Sequence, residues 1–108
     1  MADLVQLAKD VISACAQGDF GGALDVADDK FAAALPEPML GETWRQVTRN
    51  AGRFVKFTGE RQYHHLLGPV KVVFVLCDFE TKKLEIEVSF RSDKEQLVGL
   101  AFLTPGFE

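Results

Sequence analysis

The chain changes rhythm near its midpoint. Leu4, Leu7, Ala8, Val11, Ile12 and Cys15 recur at intervals of three and four, one continuous apolar stripe of an α-helix. Asp3, Lys9 and Asp10 fall on the opposite side, and Gly18 supplies the stop. Asp19 is placed to cap a second helix over 21–34, with Phe20, Ala23, Leu24, Ala27 and Phe31 on its inner face. Pro36-Glu37-Pro38 breaks that pattern. Pro38 suits the first position of a third helix, whose stripe is Leu40, Trp44, Val47 and Ala51 and whose end is Gly52.

From residue 53 the period falls to two, which predicts strands. The segments are 54–57, 62–67, 70–79, 83–91 and 97–104, with Gly59, Gly68-Pro69 and Pro105-Gly106 as punctuation. Glu80-Thr81-Lys82-Lys83 and Ser92-Asp93-Lys94 read as hairpin turns, so the last three strands pair antiparallel. Helices followed by a meander predict an α+β domain spanning 1–108, its helices packed on one face of the sheet.

Strand 70–79 is apolar on both sides. Val72, Phe74 and Leu76 share one parity; Val73, Val75, Cys77 and Phe79 share the other. The first set, joined by Leu84, Ile86, Val88 and Phe90, is expected to face the helices. The second set then forms an outer face that needs its own cover. The expected cover is a second copy of the chain, a homodimer through Val73, Val75 and Cys77; a fused partner domain is the alternative.

Composition narrows the function classes. A net charge of −4, with twelve basic residues scattered among sixteen acidic ones, argues against a nucleic-acid partner. Nine Phe against one Tyr and one Trp suit a dry interior. No apolar run approaches the roughly 18–20 residues a bilayer needs, and the start of the chain lacks the pattern of a secretory signal. A cytoplasmic protein with no membrane partner is expected. Cys15 and Cys77 have neither metal-ligand nor CxxC spacing, so two buried free thiols and no metal are expected; a disulfide between them stays open.

Gly18-Asp19-Phe20, Phe31, Leu35-Pro36, Leu40, Trp44 and Gly52, then Gly99-Leu100-Ala101-Phe102 before Pro105, carry a resemblance over nearly the whole chain. The pattern resembles a small bacterial and archaeal domain family of unknown function, of the type often fused ahead of serine hydrolases. That family is similar in fold to the nuclear transport factor 2-like cone. The resemblance implies a curved antiparallel sheet wrapped on helices, with a pocket between them. Some cone-shaped proteins, such as ketosteroid isomerases and polyketide cyclases, are enzymes with an acid/base pair in that pocket; others bind ligands or dimerise. No Asp or Tyr of the isomerase site matches a position here.

Candidate pocket residues are Trp44, Tyr63, His65, Phe74 and Asp78. Tyr63-His64-His65 is the only concentrated polar chemistry, and a pocket His could act as a general base. Alternation allows at most one of the two His to face the pocket, His65 sharing its face with Tyr63, and disfavours a two-His metal site. The bland readings are a solvated or hydrogen-bonded His, a turn-starting Asp78 and a core Trp44. Arg45 and Arg49 read as a solvated face. The hairpin's apolar residues supply no proton donor or acceptor, which lowers the rank of catalysis.

The leading reading is a non-catalytic small-ligand-binding or dimerisation module without cofactor, any ligand being an apolar small molecule. The rival is a small pocket enzyme of isomerase, cyclase or dehydratase type, with a His or Asp at the pocket mouth. Two titratable groups converging in an enclosed pocket favour the enzyme. A cavity lined by Phe, Leu and Trp44 favours a ligand, and a filled core favours an interaction domain.

Overall fold

A computed structural model of the chain describes residues 3–64, 70–91 and 93–103, with the backbone alone at 62–64. The helical half comprises α1 (Leu4–Ala16), α2 (Phe20–Ala23), a 3-10 turn (Leu24–Val26), α3 (Asp29–Ala34) and α4 (Glu37–Ala51). The strands are β1 (Phe54–His64), β2 (Val70–Phe79), β3 (Lys83–Arg91) and β4 (Gln96–Leu103). They form one open antiparallel sheet in the order β1-β2-β3-β4. The architecture is α+β, with α1 lying against β1 and β2, and α3 against β4.

Helix α1 follows its apolar stripe. Leu4, Ala8, Val11, Ile12 and Cys15 are buried, and the Asp3 carboxylate accepts a hydrogen bond from the Val5 N–H at 3.0 Å. The predicted helix over 21–34 is instead divided in two. Ala27 adopts an extended conformation, and the Asp28 N–H donates to the Leu97 carbonyl at 3.0 Å on β4. Asp28 then restarts the helix by accepting from the Phe31 N–H at 2.7 Å. The break is made by a partner some seventy residues away in sequence (28 to 97), which helical periodicity cannot register.

Helix α4 begins one residue earlier than expected, so Pro38 lies inside its first turn, where no intrahelical N–H bond is lost. Its C-terminus is tied to the β2–β3 turn. The Thr81 N–H and hydroxyl both donate to the Ala51 carbonyl, at 2.9 and 3.0 Å, and the Glu80 carboxylate accepts from the Arg53 N–H at 2.8 Å. Gly52 makes this junction possible. Its φ of 82° and ψ of −168° lie in a region reached essentially only by glycine, and a Cβ there would stand 2.6 Å from the Glu80 Cβ.

Strand β1 joins the two short strands predicted around Gly59 into one. Irregularities between Phe54 and Lys56 and between Phe57 and Gly59 absorb the extra residues as bulges, so Gly59 bends the strand without ending it. The remainder of the predicted 62–67 strand, beyond His64, lies outside the described residues, as do Gly68-Pro69 and Pro105-Gly106.

The faces of β2 are the reverse of the expectation. Val73, Val75, Cys77 and Phe79 turn toward the helices and are buried, the first three completely. Val73, Val75 and Cys77 pair in register with Val88, Ile86 and Leu84, whose side chains share that face. Turn length is the cause. Phe79 and Lys82 flank a two-residue turn, Glu80-Thr81, which sets odd positions of β2 against even positions of β3. A turn one residue longer would have put Phe74 and Leu76 beside Ile86 and Val88. The residues expected to form the dimer face are therefore the floor of the core, and the uncovered set is Val72, Phe74 and Leu76.

Candidate functional site

The helix-backed side of the sheet is filled. Phe90, Ile86, Val88 and Leu97 from β3 and β4 meet Ile12, Ala8 and Leu40 from the helices, all at 0–1% exposure. Trp44 belongs to this packing. Its ring lies 5.8 Å from that of Phe79 and 5.9 Å from that of Phe102, in tilted and edge-on arrangements favourable to aromatic pairs. Cys15 and Cys77 are free thiols in the same core. Burial pushes both up from 9.0 to about 12, with the neighbouring Asp78 carboxylate adding to the effect on Cys77. Thiols shielded in this way are poor nucleophiles.

Of the candidate pocket residues whose side chains are described, Trp44 is not brought together with Phe74 and Asp78. Trp44 lies on the helix side of the sheet, and Phe74 and Asp78 lie on the other. Asp78 is half-buried beside the hairpin, with its Oδ1 3.3 Å from Lys83 Nζ in an ion pair that lacks hydrogen-bond geometry. Tyr63 stands opposite Val72 in the β1–β2 ladder. His65 lies outside the described residues. Arg45 and Arg49 are exposed and pair with Glu42, a solvated face as the spacing suggested.

Among the described residues, solvent-open clefts indent the surface. One, of about 180 Å³, lies between the end of α4 and the edge of the sheet, lined by Val47, Asn50, Lys82, Leu84, Phe102 and Leu103. It offers an apolar floor with one ammonium and one amide at the rim. Another, of about 310 Å³, is polar and includes Asp28, Lys30, Arg91 and Lys94. Its principal groups are already engaged. Asp28 caps α3, and Arg91 holds Asp93 at 3.1 Å. That hydrogen bond raises Arg91 above the usual guanidinium value and lowers Asp93 below the usual carboxylate value. Neither cleft sets a general acid against a general base.

The distinctive surface is the helix-free face of the sheet. Val72, Phe74 and Leu76 run along its middle, each half-buried. The ladders set Gly59 beside Leu76, and Ala101 and Leu103 beside Glu87 and Glu85, so small and apolar side chains border the stripe. Arg61 crosses it. From β1 its guanidinium lies over the Phe74 ring, 4.8 Å from the centroid, and reaches Glu85 on β3 with an Nη2–Oε2 distance of 2.7 Å. Glu85 is only 8% exposed although no described helix covers this face. An Arg laid flat over an aromatic ring hides the carboxylate and leaves its stem packed on apolar surface. Alternation along β3 turns Glu85 away from Ile86, but only the register shows that Arg61 spans two strands to meet it.

Among the described residues, no three His, Cys, Asp or Glu side chains form a group that could hold a metal, and no helix is long and apolar enough to cross a membrane. Fold and surface together define an α+β domain whose sheet has one buried face and one open face crossed by an ion pair. The chain belongs to the DUF3887 family, described as protein of unknown function, which matches residues 8–100. No curated protein and no solved structure matches it.

Proposed function

We propose that this protein is a non-catalytic association module that forms a homodimer through the helix-free face of its sheet. The observation that carries this reading is the stripe Val72, Phe74 and Leu76, apolar side chains standing on a face that no described element covers. The filled core supports it, since Trp44 is buried and packed against Phe79 and Phe102. The resemblance to the nuclear transport factor 2-like cone, a fold type in which some members only dimerise, points the same way. So does the type often fused to serine hydrolases, where such a domain would act as an accessory.

Four strands spaced about 4.8 Å apart, over about eight residues at roughly 3.3 Å each, present a face of roughly 500 Å². Two such faces bury on the order of 1,000 Å², below the roughly 1,200–2,000 Å² of stable interfaces and within the weak, transient class, so the dimer is reversible and not obligate. At about 25 cal/mol per Å², a few hundred Å² of apolar contact contributes several kcal/mol before association costs. Sedimentation velocity from low micromolar to several hundred micromolar tests this. Wild-type protein shifts from monomer toward dimer, and Phe74→Glu stays monomeric while remaining folded by circular dichroism. A wild-type chain that sediments as a monomer throughout would remove the reading.

A further inference from the structure

The same face has a polarity across its strands, and on the dimer reading this fixes how two copies meet. On β1 the ladder sets Lys56 opposite Asp78 and Arg61 opposite Phe74. On β3 the residues of this face are Lys83, Glu85, Glu87, Ser89 and Arg91, of which Lys83 is engaged by Asp78, Glu85 by Arg61 and Arg91 by Asp93. Glu87 is half-buried and makes no hydrogen bond or ion pair among the described residues. It stands beside Phe74 in the β2–β3 ladder, in the cross-strand row that Arg61 enters from the other side. One row thus reads Arg61, Phe74, Glu87, Ala101 across the four strands.

We propose that two copies pack these faces about a two-fold axis running along the strands between β2 and β3, with Arg61 of each copy meeting Glu87 of the other. Such an axis lays β2 of one copy on β3 of its partner and keeps each row on itself. The guanidinium over Phe74 then faces the carboxylate that has no partner within its own chain. A guanidinium has five donors, so it can keep its contacts within the chain, the Glu85 pair among them, and still meet Glu87 across the interface. The alternative axis, across the strands, lays β1 near β1 and β3 near β3, bringing cation toward cation and carboxylate toward carboxylate. Charge complementarity therefore selects the first arrangement.

A charge exchange tests the arrangement separately from dimerisation itself. Glu87→Arg leaves the Arg61–Glu85 pair in place and sets cation against cation twice in the symmetric dimer, weakening self-association at least about tenfold. Arg61→Glu sets carboxylate against carboxylate twice and weakens it likewise. An equimolar mixture of the two variants regains affinity to within about threefold of wild type, because both contacts become Glu–Arg in the mixed dimer. If Arg61→Glu lowers the melting temperature through loss of the Glu85 pair, Glu87→Arg alone still decides the point. A Glu87→Arg chain that dimerises as tightly as wild type overturns this arrangement and leaves the dimer standing. A monomeric wild type overturns both.

Discussion

The two faces of β2 are built from similar residues and meet opposite fates. Val73, Val75 and Cys77 are completely buried beneath the helices, while Val72, Phe74 and Leu76, one position away in each case, remain half-exposed on the far side. Apolar content alone does not distinguish them. Their cross-strand neighbours do. The inner set pairs with Val88, Ile86 and Leu84; the outer set pairs with Ser89, Glu87 and Glu85. A face that carries carboxylates beside Phe and Leu is suited to reversible contact, because its polar members keep it hydrated when alone.

The contrast is sharpest in stability. Phe90 is completely buried on the inner face, and Phe90→Ala costs about 3–5 kcal/mol through lost transfer energy and the cavity left behind. Phe74→Ala, measured by urea denaturation at a concentration where the chain is monomeric, costs about 1 kcal/mol or less. Equal losses at the two positions would dissolve the distinction between the faces.

The junction that sets the register comes next. Gly52→Ala forces a side chain into a glycine-only conformation against Glu80 and destabilises by about 2–3 kcal/mol, read as a fall in the denaturation midpoint. Because the β2–β3 turn docks on this helix end through Thr81, the loss should be felt by both faces.

The inner thiols give a pH signature that the outer face lacks. Each thiol titrates higher folded than unfolded, so its contribution is intact below about pH 9 and is lost as pH rises from there toward 12. Unfolding free energy should fall with a slope of roughly 1 kcal/mol per thiol for each pH unit in that window. Replacing Cys77 with Ala or Val should remove about half of the slope. An unchanged slope would mean that Cys77 is not shielded by the inner face.

Residues with local causes were readable in advance. The α1 stripe, the Asp19 and Gly52 boundaries, and the strands over 70–79 and 83–91 all follow from spacing and turn chemistry within one element. What escaped depends on pairing between elements. One residue of turn length at Glu80-Thr81 decides which side of β2 meets the helices, and both parities are apolar enough to serve. The helix break at Ala27 is imposed by Leu97, and the Arg61–Glu85 bridge passes over an intervening strand. Phe74 was expected beneath the helices as a pocket residue and lies on the opposite face. Its partners were not legible either, because a sequence shows which residues share a face only after the register is known.

The most direct measurement is methyl NMR of Val, Leu and Ala side chains as the protein is concentrated. Dimerisation through the helix-free face shifts Val72, Leu76, Ala101 and Leu103 progressively and leaves Val73, Val75 and Val88 unmoved. Shifts gathered instead around Val47 and Leu84 at the edge cleft, or no concentration dependence at any methyl, would contradict it.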